Sequence, residues 1–141
     1  MIYCDTSLIV AALTNEPHSE RARHWLRSEP AEPLAISAWT LTEVASALAM
    51  KHRRGVLDDA ALAAVDGIWT EFRSARCSML AIDESHFREA GVLVNTPPRG
   101  LRAADALHLA VALRSGAAIA TFDHDLAESA KARGLDVHPR S

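Results

Sequence analysis

Four acids, Asp5, Glu43, Asp105 and Asp123, each fall where a run of apolar residues ends or a helical pattern begins. Carboxylates brought close together cannot all stay ionised unless a cation offsets their repulsion. A donor set made only of oxygens favours the hard ions Mg²⁺ and Mn²⁺, and Mg²⁺ keeps waters that can serve as nucleophile. Such a site suits phosphodiester hydrolysis. One ion lowers the pKa of a water and aims it at phosphorus, and a second, about 4 Å away, stabilises the leaving oxygen. Side-chain nucleophiles have little support: Ser7 and Ser37 have no evident His partner, and the chain lacks both a G-x-S-x-G elbow and a glycine-rich phosphate loop.

Each acid also has an ordinary structural reading. Asp5 follows the apolar opening Met1-Ile2-Tyr3-Cys4, and Asp123 follows the run 117–122. Ligands of open parallel sheets bind at the carboxyl ends of strands, but an Asp there is equally a helix N-cap. Asp105 is harder to set aside. From Ala103 to Leu113 its helix is apolar on every side except at Asp105 and His108, which predicts a buried central helix. A carboxylate there needs compensation from Arg102, from backbone N–H groups or from a cation. Glu43 lies off the apolar stripe of its helix, and at a first turn it complements the dipole. His108 shares a face with Asp105 at i+3, but a single helical His is more often a hydrogen-bonded core residue, so it is left out of the site.

The elements that must position these acids follow from periodicity. Residues 1–4, 34–37, 78–82, 117–122 and 135–138 read as short strands, the first four apolar enough to be covered on both faces. Helical patterns run from Thr40 to a stop at Gly55, from an N-cap at Asp58 through Phe72, over 84–95 before Pro97-Pro98, over 102–115 before Gly116, and from 124 to Gly134. The alternation predicts a three-layer α/β/α sandwich on a short, mainly parallel sheet, formed by residues 1–141 as one domain.

Bulk properties exclude several classes. The 141 residues are 49% apolar and 23% charged, an ordinary globular balance. No apolar run approaches the roughly 20 residues that span a bilayer, and the opening lacks the pattern of a signal peptide. Cys4 and Cys77 are therefore expected to be reduced thiols in a cytoplasmic protein, and no zinc-ligand spacing is present. The formal charge of −3 argues against non-specific duplex binding without excluding a nucleic-acid substrate.

Four segments together resemble the PIN-domain ribonucleases, and within them the VapC-type toxins of bacterial toxin–antitoxin pairs. They are Tyr3-Cys4-Asp5-Thr6-Ser7, Ser37 to Val44, Arg102 to Ala110, and Thr121-Phe122-Asp123-His124-Asp125-Leu126. Singly weak, they are specific in order and spacing, and the resemblance covers nearly the whole chain. It implies Mg²⁺- or Mn²⁺-dependent cleavage of RNA in an acidic pocket of Asp5, Glu43, Asp105 and Asp123. Metal ligands would be Asp5 and Asp105 foremost, with Asp123. Thr6, Ser7 and Thr121 would support them; Thr121 points the same way as Asp123 along its strand. Asp125 is either an outer acid or a helix cap. One departure is Leu126, where related toxins often carry an aromatic.

The resemblance further implies a homodimer and a small antitoxin whose tail blocks the groove. Trp69 and Phe72 either extend beyond the core or belong to it. The basic run Lys51-His52-Arg53-Arg54 either meets RNA phosphates or complements a helix end, whereas Arg99 and Arg102, near Asp105 in sequence, are better placed for a phosphate. Two other functions compete. An aspartate-nucleophile phosphatase also places an Asp after its first strand, but its usual second acid two residues on is here Ser7. A non-catalytic RNA- or partner-binding module would make all four acids structural.

Overall fold

The computed structural model describes residues 1–28 and 32–140. Five strands, β1 (Ile2–Cys4), β2 (Leu34–Ser37), β3 (Cys77–Leu80), β4 (Ala118–Ala120) and β5 (Val137–His138), form one sheet in the order β3-β2-β1-β4-β5, every pair parallel. Seven helices lie between them among the described residues: α1 (Thr6–Leu13), α2 (Ser19–Arg27), α3 (Ala38–Arg53), α4 (Asp59–Arg76), α5 (Glu84–Asn95), α6 (Ala103–Ser115) and α7 (His124–Lys131).

Alternation along β1 divides the core. Ile2 and Cys4 join Leu8, Ile9, Val44, Leu48, Val65 and Trp69 on the α1–α4 side. Tyr3 between them faces Leu93, Leu107, Leu109, Val111, Ile119 and Leu126 on the α5–α7 side. Helices thus cover both faces, as the sandwich expectation required. From β1 the chain steps outward through β2 to β3, then returns beside β1 as β4. The strand order reverses between β1 and β4, and the carboxyl ends of those two strands flank the crevice where such sheets bind ligands.

The segments expected to be strands are all present, with the later ones shorter or shifted by a few residues. β3 departs from the expectation of cover on both faces: it is an edge strand, with Ser78 exposed and Met79 51% exposed. Asp58 does cap α4, accepting from the Ala61 N–H at 2.7 Å. Gly55 (φ +75°) and Gly116 (φ +62°) supply the left-handed residues that end α3 and α6. The chain at Arg53–Val56 is an exposed turn between α3 and α4. Trp69 is core, only 6% exposed, with Phe72 half-buried beside it; Ile68 is the large apolar residue of that stretch that reaches solvent. Both cysteines are free thiols, Cys4 buried. No helix of the described residues is long and apolar enough to cross a membrane.

Helices α1 and α2 answer to no helical pattern drawn from the sequence. The run Thr6-Ser7-Leu8-Ile9-Val10-Ala11-Ala12-Leu13 is too uniformly apolar to show a period. In contrast α2, SERARHWLR, is so polar that only Ser19 and Ala22 are buried.

Candidate active site

Two hydrogen-bonded groups of side chains meet at the β1/β4 crevice. The first is centred on Asp5, only 2% exposed. Its Oδ1 accepts from the Leu8 N–H at 3.1 Å, which makes it the N-cap of α1, and from the Ser7 hydroxyl at 2.8 Å. Its Oδ2 accepts from the Thr121 hydroxyl at 2.8 Å. The backbone closes the same seam, with Asp5 N–H donating to Ala120 C=O at 3.0 Å. Thr121 and Ser7 also accept, from the N–H groups of Asp123 (2.9 Å) and Phe122 (2.8 Å) respectively. The hydroxyls therefore lock the ends of β1 and β4 together and fix the carboxylate between them. Burial nonetheless raises the Asp5 pKa, the hydrogen bonds and His108 opposing it.

A second group runs through the core from the sheet to Glu43. Tyr3 Oη stands 2.8 Å from Ser37 Oγ, 3.4 Å from Thr40 Oγ1 and 2.7 Å from His108 Nδ1. His108, 1% exposed, turns its Nε2 to Glu43 Oε1, and the Thr6 hydroxyl donates to the same oxygen at 2.7 Å. An ionised carboxylate can only accept, so the Nε2–H donates to it. Burial pushes the Glu43 pKa up, but the hydrogen bond and charge of His108, with Thr6, hold it below the ordinary value.

Asp105 and Asp123 complete the set differently. Asp123 is the N-cap of α7, its Oδ1 accepting from the Leu126 N–H at 2.7 Å. Asp105, in the first turn of α6, is half-buried and has no hydrogen-bond or ion-pair partner among the described residues. Its pKa is pushed up to about 6, by burial first, then by Asp123, Asp5 and Glu43, with His108 pulling the other way. The three other acids thus all lie near enough to Asp105 to act on it. Of the three compensations open to Asp105, Arg102 does not supply one: Arg99 and Arg102 are exposed, and neither pairs with the four acids among the described residues.

Several smaller expectations shift. Glu43 is not in a first turn, because α3 begins at Ala38, where the Ser37 N–H donates to Thr40 Oγ1 at 3.3 Å; its carboxylate is held by His108 and Thr6 rather than by the helix dipole. Asp123, not Asp125, caps α7. Asp125 is exposed, its carboxyl beside Gly100 (φ +121°), where a Cβ would lie 3.5 Å from Asp125 Cγ. In the basic run Lys51 pairs with Glu16 at 2.8 Å and His52 with Asp59 at 2.7 Å.

A model of the PIN domain matches residues 2–132. The chain belongs to the PIN-domain family. Curated relatives of this PIN domain include ribonuclease VapC46 of Mycobacterium tuberculosis, 33% identical over 139 residues that cover 96% of this chain and 95% of that protein. Ribonuclease VapC45 of the same species is 33% identical over 145 residues, 99% of this chain and 95% of its own length. Among solved structures, the sarcin–ricin loop cleaving toxin VapC20 of M. tuberculosis superposes with a TM-score of 0.71 at 22% identity, covering 96% of each chain. VapBC2 from Rickettsia felis, bound to a promoter DNA fragment, superposes at 0.66 with 17% identity and 98% of each chain covered. At those identities the structures establish the PIN fold alone.

Sequence reasoning missed two residues of this PIN site, Tyr3 and His108. The core reading of His108 was correct as far as it went; its second nitrogen reaches Glu43. The available signal was a histidine on an otherwise apolar helix, a residue with two ring nitrogens to satisfy. Its partners lie 65 and 105 residues away in the chain and become visible only in the fold.

Proposed function

We propose that this PIN domain, acting as one domain over residues 1–141, is a metal-dependent endoribonuclease and the toxin of a toxin–antitoxin pair. The observation that carries the nuclease reading is Asp105, an unpartnered carboxylate amid three other acids. The toxin reading draws on relatives that are ribonucleases named VapC at 33% identity over nearly the whole chain and on neighbours such as VapBC-1 from nontypeable Haemophilus influenzae. RNA is the substrate in this reading, a small antitoxin and a second copy of the chain are the partners, and the cytoplasm is the compartment.

The side chains suit Mg²⁺ or Mn²⁺. Among the described residues no three ligating groups form a ready-made cage. Mg²⁺, however, is usually held by one or two carboxylates and completes its shell with water. Asp105, with both oxygens uncommitted, would be the principal ligand, and Asp5 and Asp123 would complete the acidic wall. When bound, the cation neutralises the crowded acids, activates the attacking water and offsets charge on the leaving oxygen.

The chain's own residues do the positioning. Ser7 and Thr121 hold the Asp5 carboxylate in one orientation, and Thr121 also fixes the backbone of Asp123. His108 and Thr6 keep Glu43 ionised and aimed, leaving its Oε2 free among the described residues to accept a proton or orient water. Arg99 and Arg102 are the nearby cations for an RNA phosphate in this reading, and Asp125 stands outside the acid group.

The deciding experiment is cleavage of a single-stranded RNA by purified protein, with Mg²⁺ or Mn²⁺ added and then removed by chelation. The expected result is cleavage that requires the ion and disappears in a folded Asp105→Asn variant. Undiminished cleavage by that variant overturns the mechanism, and hydrolysis of phosphomonoesters without action on RNA would favour a phosphatase. Toxicity on expression, relieved by the adjacent small open reading frame, tests the toxin role.

A further inference from the structure

Four carboxylates repel a polyanion, so a strand of RNA must be held by cations close beside them. The chain as a whole does not supply them, with a formal charge of −3. One cleft does. It has a volume of about 320 Å³ and begins at Thr121 and Asp123, then runs over α7 to the C-terminal strand. Its walls carry Arg21, Lys131 and Arg140, with the imidazoles of His18 and His124, and among the described residues Asp123 is the one acid that lines it. The sign of the charge is therefore reversed within a cleft continuous with the acid group.

These cations are available at little cost. Lys131 pairs with Glu128 at 3.0 Å and Arg140 with Asp136 at 3.8 Å, but both pairs are half-exposed or more, and such pairs contribute little and exchange readily. Arg21 is held in place through one amino group, which donates to the carbonyls of Pro139 and Arg140, leaving its other N–H groups uncommitted among the described residues. Beside it the His18 ring stacks on Phe122, centroids 4.6 Å apart and planes within 5°, while the Arg21 guanidinium lies 5.7 Å from the Phe122 centroid. His18 is exposed at the cleft mouth. A planar ring already in a stack and open to solvent is the kind of platform on which unpaired bases settle.

We propose that this cleft is a nucleotide subsite for the RNA strand: Lys131, Arg140 and Arg21 hold a phosphate flanking the scissile bond, and His18 stacks its base. The assignment rests on the ribonuclease reading and deepens it. It places substrate contacts on α2 and its N-cap, on the end of α7 and just after β5, away from Arg99 and Arg102.

The test uses full-length protein and a fluorescent single-stranded oligoribonucleotide. Binding is measured against salt concentration in the Asp105→Asn background, and cleavage kinetics in the parent background. Removing one cation that neutralises a phosphate of a single strand lowers the salt slope by about 0.7. Lys131→Ala/Arg140→Ala strips two of the three cations from that one phosphate and should therefore lower it by up to about 0.7 and raise KM with kcat retained. His18→Ala should weaken binding about tenfold, with His18→Phe restoring it. Lys131→Arg/Arg140→Lys should keep the slope, and Arg88→Ala, an exposed cation on α5, should leave it unchanged. If the double variant keeps the parent's slope and KM while the parent cuts RNA, the cleft assignment falls alone. If the variants release a protein partner but leave RNA binding intact, the cleft is a partner-binding surface and the assignment is likewise overturned. If the parent neither binds nor cuts RNA, the ribonuclease reading falls and the subsite with it.

Discussion

Asp5 and Asp105 belong to one group of acids, yet they are held in opposite ways. Asp5 sits in a fully subscribed network: three donors, one of them the Leu8 N–H in the first turn of α1, fix both oxygens. Asp105 is more exposed and has no partner among the described residues, with its pKa pushed up to about 6 by burial and by the other acids. The first carboxylate belongs to the protein's framework as well as to its site. The second makes no contribution to folding that its neighbours repay. A residue that is destabilised in the free protein is retained for what it does with something bound.

Substitutions can break that contrast. The largest effect is expected for Asp105→Asn, which should lower RNA cleavage roughly 10²–10³-fold or more, the scale of removing one preorganised charge. The same change should leave the metal-free melting temperature unchanged or about 2–4 °C higher, since it removes repulsion. Asp5→Asn should impair cleavage comparably but also destabilise the fold by about 1–3 kcal/mol, because an amide NH₂ would face hydroxyl donors in a buried site. Equal melting temperatures for the two variants, read side by side by calorimetry, would erase the distinction.

His108→Ala is the next largest. It removes the link between Tyr3 and Glu43, and loss of a positioning partner costs about 10–100-fold in activity or metal affinity. The ion titration of the variant should show weaker apparent affinity.

The pH dependence of stability follows from the sign of the Asp105 shift. Its folded pKa, about 6, lies above its ordinary value of 3.8. Its contribution to stability is therefore complete below about pH 4 and is lost as pH rises through about 6. Urea melts of metal-free protein should show that loss, and Asp105→Asn should lack it. Addition of Mg²⁺ or Mn²⁺ should stabilise the parent more at pH 7 than at pH 5. Asp125→Ala should change cleavage less than about twofold, the scale of an exposed surface substitution.

Much of this was legible in the residues. Short apolar runs bounded by helix signals gave away the five parallel strands, and Asp58, Gly55 and Gly116 marked helix ends because caps are local chemistry. Asp105 stood out because a charge on an apolar helix is a conflict visible in one segment. The rest was hidden for physical reasons. In α1 the period vanishes because the helix is buried almost all round, and in α2 it vanishes because almost nothing is buried. The role of His108 depends on Tyr3 and Glu43, which adjoin it only after the sheet has formed. Arg99 and Arg102, near Asp105 in sequence, stay exposed in the fold and pair with none of the acids among the described residues.

The exposed turn at Arg53–Val56 has a consequence of another kind. Asp5 and Glu43 precede it, and Asp105 and Asp123 follow it. A chain divided there would carry two acids on each piece, with β1 on one and β4 on the other. Neither piece would be a weaker nuclease; each would be half of a coincidence detector, silent until the two are brought together. A PIN domain divided this way would be switched on by proximity rather than by synthesis.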